Sequence, residues 1–305
     1  MPDADTNMTL AQAFERYYEA KTRKRSLDKD RQHAAHLLTA FGESTKLRAL
    51  TAARISAWRD KKLAAKSKRG GPLAAASINR PLSILRCLLR LAHDEWGVIP
   101  SVPKIRLLKE PEGRIRWLEP DEEARLLNAC EKSRNPYLLP IVTVALESGL
   151  RKGELLALTW ERVDLSRGVI RLEITKSGKR REVPMRQAVY NVITGLPGPR
   201  TGHVWPNPRL RTGFDKAVEE AKIEDLHFHD CRHHFASWFV MRGGKIEVLQ
   251  KILGHQTLEM TMRYAHLAPG FVRDEMVKTE RPVDNSRNQG TRNVEPTGLT
   301  ARGES

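Results

Sequence analysis

Through residues 8–97 the apolar positions recur at helical spacing, so this stretch is expected to be all-helical. Thr9 and Gln12 stand three apart ahead of Leu10, Phe14, Tyr17 and Tyr18, the spacing of a capping box. A second periodic run, Ala34 to Phe41, stops at Gly42, a residue that tolerates the left-handed backbone of a helix end. Thr51 can cap a third helix carrying Ile55, Trp58 and Leu63. After Gly70, Gly71 and Pro72, a fourth helix carries Ile78, Leu82, Leu85, Leu88, Leu89 and Leu91 and ends near Trp96 and Gly97. Pro81 falls in or near its first turns and leaves its start open. Pro100, Pro103 and Pro111 then block regular structure, so residues 98–116 read as a linker.

A second region, 117–278, mixes periods. Pro120 suits the first position of a helix through Leu126 and Leu127, and another helix runs from Leu138 to Leu146 and ends at Gly149. Residues Gly168 to Thr175 alternate as a strand, Ser177, Gly178 and Lys179 make a turn, and Arg181 to Met185 return as its partner. Pro184 cannot donate to a ladder, which predicts an edge strand. The remainder reads as helical to about residue 278. Residues 279–305 are rich in Arg, Asn, Gly, Thr and Pro and are expected to be a disordered tail. The expected fold is mainly α with a small antiparallel β-sheet: an N-terminal helical bundle, a linker and a C-terminal α+β domain.

Charge narrows the partner. Among 305 residues, 53 Lys and Arg face 37 Asp and Glu, a formal net charge of +16, which favours a polyanion. A membrane surface would attract the same charge, but no apolar run is long enough to span one and MPDADTNMTL has no apolar signal core. A cytoplasmic nucleic-acid-binding protein is therefore expected. Cys87, Cys130 and Cys231 form no C-x-x-C pair and fit reduced thiols. Basic residues cluster at Lys21, Arg23, Lys24 and Arg25, then at Arg59, Lys61, Lys62, Lys66, Lys68 and Arg69. Each cluster alone is equally well a solvated face; together, with few acids between them, they suggest phosphate contacts. Lys104, Arg106, Lys109, Arg114 and Arg116 make the linker a basic hinge able to wrap a duplex.

The candidate chemistry lies in the second region. Arg151 follows Gly149, with Glu154 three residues on and so on the same helical face; an exposed ion pair would have the same spacing. His229 and Arg232 repeat that spacing in HFHDCRHHFAS, setting a proton-transfer group beside a phosphate clamp. His227, His229, Asp230, Cys231, His233 and His234 also raise a zinc site, although neighbours on a helix point apart and no second ligand cluster completes a tetrahedral set. Other histidines here read as packing or capping residues. His255 follows Leu253 and Gly254, and Tyr264 lies in MTMRYAHL, where a lone tyrosine would ordinarily be a core residue. Lys176 ends the strand at a hairpin tip with Lys179, Arg180 and Arg181, a set of cations suited to a DNA groove or simply to solubility. Two guanidinium forks can grip one phosphate, and a tyrosine hydroxyl can attack phosphorus and hold the product as an ester.

The segments SGLRKGELLALTWERVDL, TKSGKRREVPM, HDCRHHFAS and LGHQTLEMTMRYAHL resemble the signature boxes of the tyrosine recombinase, or phage integrase, family. The order Arg, Lys, His-x-x-Arg, His, Tyr is the family order, and the helical N-terminal region resembles the family's core-binding domain; the likeness covers roughly residues 8–275. Cys231 and His234 are unusual within the third box, and no arm-site-binding domain fits before Thr9. The resemblance implies a core-binding domain at 8–97, a catalytic domain at 117–278 and a homo-tetramer acting on two double-stranded DNA sites. Tyr264 would form a 3′-phosphotyrosyl bond, and Arg151 and Arg232 would stabilise the phosphate oxygens. His229 would accept or relay the nucleophile's proton, Lys176 would protonate the departing 5′-oxygen, His255 would donate to the phosphate, and Glu154 would orient the site. Neither metal nor nucleotide cofactor is implied. Lys61, Lys62, Lys66, Lys68, Arg69, Lys179, Arg180 and Arg181 are the expected DNA contacts. A type IB topoisomerase, a non-catalytic DNA-binding regulator and a zinc nuclease are the other classes in view. The short amphipathic segment after Tyr264, through Phe271, Val272 and Met276, is a candidate for docking on a neighbouring subunit or for packing on its own.

Overall fold

The computed structural model describes residues 7–24, 26–67, 70–111, 113–172, 180–206, 210–270, 276 and 279. Lys68, Arg69, Lys176, Lys179, the turn at Ser177 and Gly178, Phe271, Val272 and nearly all of the expected tail lie outside them. The chain divides into two units, Met1–Gly113 and Arg114–Ser305.

The first unit is built on four helices, α1 (Leu10–Ala20), α2 (Leu27–Phe41), α3 (Ala52–Ala64) and α4 (Ala75–Asp94). The expected capping box opens α1: the Thr9 hydroxyl accepts from the Gln12 amide and the Gln12 side chain accepts from the Thr9 amide. Leu10, Ala13, Phe14 and Tyr17 form its buried face. The Tyr17 hydroxyl donates to Asp30 at 2.7 Å, and Lys24 reaches the same carboxylate at 2.5 Å, so this buried acid is paired. Gly42 ends α2 at φ 90°, a backbone that only glycine adopts readily, and Thr51 accepts from the Arg54 amide at the start of α3. Leu63 is half exposed rather than part of the core. Pro81 lies inside α4; the long apolar face from Ile78 to Ala92 outweighs the roughly 3 kcal/mol that an interior proline costs a helix.

Of the stretch expected to be an extended basic hinge, residues 98–108 are laid on this unit. Val98, Ile99 and Ile105 are buried in its core. The Asn79 amide brackets the backbone of Leu108, donating to its carbonyl at 2.9 Å and accepting from its amide at 2.9 Å. Arg86 donates to the Ile105 carbonyl at 2.5 Å. The prolines do exclude helix and strand here, but the apolar residues between them still find a surface to cover.

The second unit holds α5 (Pro120–Glu131), α6 (Leu138–Ser148), α7 (Lys152–Leu156), α8 (Gln187–Thr194), α9 (Leu210–Glu220), α10 (Asp230–Met241), α11 (Ile246–Leu253) and the short α12 (Glu259–Met262), with 3-10 turns at Trp160–Arg162 and Ala265–Leu267. Pro120 stands at the start of α5, and Gly149 caps α6 in left-handed backbone. The described sheet is antiparallel, in the order β1 (Val163–Asp164), β2 (Val169–Leu172) and β3 (Arg181–Pro184). Ile170 faces Val183 and Leu172 faces Arg181 across the ladder. β3 is an edge, as Pro184 requires; the two-residue β1 was too short to show as alternation. The main core lies among α5, α6, α8, α9 and β2, and a smaller one joins Phe235, Ala236 and Val240 of α10, Leu249 and Leu253 of α11, and Tyr264. Buried His234 accepts from the Leu118 amide at 3.2 Å, a packing role of the kind expected for some histidines here. Among the described residues, no helix is long and apolar enough to cross a membrane.

Candidate active site

Three arginines converge on the C-terminal end of α11. The last carbonyls of a helix have no intrahelical donor and carry its partial negative charge, so cations collect there. Arg181 Nε donates to the Ile252 carbonyl at 2.9 Å, Arg232 to the Leu253 carbonyl at 2.8 Å, and Arg151 to the Gly254 carbonyl at 3.0 Å. Three consecutive carbonyls each receive one guanidinium. Arg232 also donates to the Gly149 carbonyl, at the end of α6, at 2.7 Å. Gly149 and Gly254 both have left-handed φ, 62° and 63°, which turns these chain ends toward the arginines. A side chain at either position would collide: a Cβ on Gly149 would meet Phe235 Cδ1 at 2.5 Å, and one on Gly254 would meet Arg181 Cδ at 2.9 Å.

Glu154 ties the cluster together. Its carboxylate receives Arg151 at 2.8 Å and both terminal nitrogens of Arg181, at 3.1 and 2.7 Å. Burial alone would raise its pKa; the Arg181 hydrogen bonds and charge, with help from Arg151, overcome this and hold it at about 2. Arg181 was expected among the DNA-facing cations at the hairpin tip. Its side chain is instead 8% exposed and aimed inward, because β3 turns it onto Glu154 and α11. Arg180, beside it, is exposed, as are Lys61 and Lys66; Lys62 is half-buried with its ammonium 5.8 Å from the Trp58 ring centre.

One carboxylate among three guanidinium groups leaves a strongly positive site. Arg232 is 5% exposed, and burial, followed by the charges of Arg151 and Arg181, lowers its pKa to about 9. His255 Nδ1 lies 2.8 Å from the hydroxyl of fully buried Thr261. Burial, then Arg232, Arg151 and Arg181, hold His255 neutral with a pKa of about 4. His229, at the start of α10, is pushed down first by burial and then by Arg232. Such a site is short of negative charge and rich in donors, which suits an anion with several oxygens.

Tyr264 belongs to the same cluster. Its side chain is 2% exposed, and burial raises the pKa of its hydroxyl while Arg263 and Arg232 pull the other way. The hydroxyl sits 2.6 Å from His233 Nδ1. From the sequence His233 was raised only as one of several possible zinc ligands; its place one turn beyond His229, on the same face of a helix, is the signal that could have linked it to the site. The structure thus brings Arg151, Glu154, Arg181, His229, Arg232, His233, His255 and Tyr264 to one site. Among the described residues, no three His, Cys, Asp or Glu side chains are grouped to hold a metal ion.

Residues 116–270 match the phage integrase family. The integrase of Salmonella phage P22 is 31% identical, over 94% of this chain and 86% of its own. The chain belongs to the phage integrase family. It is accordingly a tyrosine-type site-specific recombinase. The shufflon-specific DNA recombinase of Escherichia coli is also 31% identical, covering 85% of this recombinase and 69% of its own length. In fold, the recombinase resembles a lambda integrase dimer bound to a COC' core site, with a TM-score of 0.69, 20% identity and coverage of 85% and 95% of the two chains. The integrase of transposon Tn1549, solved with a circular intermediate DNA, gives a TM-score of 0.70 at 19% identity, covering 90% and 100%. At these identities the likeness concerns fold.

Proposed function

We propose that this recombinase cuts and rejoins double-stranded DNA through a covalent bond between the Tyr264 oxygen and a 3′-phosphate, using neither metal nor nucleotide cofactor. The observation that carries this reading is that the buried Tyr264 phenol lies within electrostatic reach of Arg232, which shares the end of α11 with Arg151 and Arg181 from distant parts of the chain. The hydrogen bonds described above take two of the five N–H donors on each of Arg151 and Arg232. In this reading the others would serve the non-bridging oxygens of a scissile phosphate. Charge building up on those oxygens would be met by fixed cations in a partly dry site, the kind of contribution for which a single arginine is worth ~10³–10⁵ in rate.

In this reading Thr261 holds Nδ1 of His255, which leaves Nε2 to donate to the phosphate. Glu154 and Arg181 are positioning residues that fix Arg151 and the end of α11. Lys176 protonates the departing 5′-oxygen, and His229 takes part in moving the proton of Tyr264. Energy stored in the phosphotyrosyl ester is returned when a free 5′-hydroxyl attacks it, so no high-energy cofactor is consumed. The helical unit at 8–97 and its exposed Lys61 and Lys66, together with Arg180, would contact the duplex, and four copies would join on two sites in the cytoplasm. That solved relatives hold DNA supports the choice of duplex.

The test is a Tyr264→Phe variant incubated with a duplex carrying the sequence that the protein selects from a randomised pool. Binding should persist and denaturant-stable protein–DNA attachment should vanish. Attachment at the wild-type level would refute the assignment.

A further inference from the structure

The histidine in contact with the Tyr264 hydroxyl is not His229 but the one a turn further along α10. His233 Nδ1 lies 2.6 Å from the phenolic oxygen, and the two rings are 5.9 Å apart at 46°. The His229 ring stands edge-on behind it, at 5.2 Å and 90°. We propose that His233 takes the phenolic proton of Tyr264 during strand cleavage, with His229 acting behind it rather than on the tyrosine directly. This rests on Tyr264 being the nucleophile.

At 2.6 Å a single hydrogen lies between the two atoms. In the tautomer the proposal requires, that hydrogen belongs to the tyrosine and Nδ1 is the bare, accepting nitrogen; in the other neutral tautomer Nδ1–H would donate to the phenolic oxygen. A proton acceptor therefore touches the nucleophile in this conformation. The groups facing His233 are His229, Asp230 and Arg232 from its own helix, and Arg263 with Tyr264 from the segment packed against it; Glu147 of α6 acts on His234 instead. Burial, then His229 and Arg263, hold the pKa of His233 at about 4, with Asp230 opposing. In this state His233 is a weak base and Tyr264 a weak acid, and the pair is quiescent. A phosphodiester gripped by Arg151 and Arg232 would add negative charge beside cations that now depress His233, and so favour its protonated form. Proton acceptance would then switch on with substrate.

The step balances. As the phenolic oxygen bonds to phosphorus, its proton moves to His233 Nδ1; the bond from phosphorus to the 5′-oxygen breaks, and that oxygen takes a proton from a general acid, the part assigned to Lys176. In rejoining, a 5′-hydroxyl bonds to phosphorus and gives its proton to the group that had served as the acid, the bond from phosphorus to the tyrosine breaks, and His233 returns the proton to the phenol.

The test is single-turnover cleavage by the full chain from pH 6 to 9.5, on a nicked duplex built on the selected sequence, with wild type, His233→Gln and Tyr264→Phe. His233→Gln keeps an acceptor for the hydroxyl but no base. It should cleave ~10²–10⁴-fold more slowly near neutral pH, and its rate should climb about tenfold per pH unit where the wild-type profile is flatter, as hydroxide replaces the lost base. Sulfur in place of the bridging 5′-oxygen, which removes the need for an acid, should leave that deficit in place. A rate within about threefold of wild type, a deficit constant across pH, or rescue by sulfur would each overturn the proposal. Should the variant not fold, nitrogen-15 chemical shifts in the wild-type protein read the tautomer: an unprotonated Nδ1 on His233 supports the proposal and a protonated one overturns it. Covalent attachment by Tyr264→Phe would instead refute the nucleophile assignment itself, so the two failures are distinguishable.

Discussion

Glu154 is the lone carboxylate among the arginines described at the site, and removing its charge gives a sharply defined expectation. Its pKa is held at about 2 against an ordinary 4.5, and its side chain is 13% exposed. At about 1.4 kcal/mol per pKa unit, the difference corresponds to about 3 kcal/mol of stability at neutral pH. A carboxylate with a depressed folded-state pKa contributes this in full above its unfolded value and loses it as the pH falls toward the folded value. Glu154→Gln should therefore be less stable by about 3 kcal/mol at pH 7, equivalent to a fall in melting temperature of ~6–12 °C for a domain of this size. The gap should narrow between pH 4.5 and 2. Arg181→Met should be destabilising too, because it leaves the buried carboxylate short of its main partner, and the double variant should lose less than the two singles combined. Urea unfolding of the four proteins at pH 7 and pH 3 measures all of this. If Glu154→Gln matched wild type at pH 7, or if its deficit were unchanged at pH 3, the account of Glu154 as the anchor of the arginine cluster would be wrong.

Other consequences follow from single contacts. Arg232→Ala should slow covalent cleavage by ~10³-fold or more while duplex binding, followed by gel shift, changes little. Thr261→Val removes the partner of His255 Nδ1 and should lower the cleavage rate by about tenfold, with no more than a small change in melting temperature. Gly149→Ala forces a side chain into left-handed backbone 2.5 Å from Phe235 and should destabilise by about 2 kcal/mol or more in urea unfolding. Asn79→Ala releases the backbone of Leu108, so trypsin should cut faster after Arg106 and Lys109 than in wild type.

What the sequence disclosed was mostly local. The Thr9 capping box, the Pro120 start of α5 and the glycine stops at Gly42, Gly149 and Gly254 depend on a few adjacent residues, and the helices form where those residues place them. Arg151, Arg232, His255 and Tyr264 were legible as types in a familiar order. Their mutual geometry was not, because it is set by contacts between distant segments. Arg181 looked like one more cation at a hairpin tip; only the pairing of β3 with β2 and the approach of α11 turn it onto Glu154 and Ile252. His233 was one of several histidines in a crowded stretch, and its meeting with Tyr264 depends on how the segment after α11 folds back on α10. The packing of the proline-rich stretch after α4 was hidden for the same reason: proline forbids helix and strand but says nothing of whether Val98, Ile99 and Ile105 will find a core.

The proposed chemistry joins the phenol of Tyr264 covalently to a DNA 3′-phosphate at the arginine cluster. The direct measurement is to trap the wild-type protein on a nicked duplex in the presence of EDTA, digest the adduct and identify the modified peptide by mass spectrometry. A nucleotide phosphate is expected on Tyr264, formed at full yield without divalent metal. An adduct on any of the other four tyrosines or on a serine, or none formed until metal is restored, would contradict it.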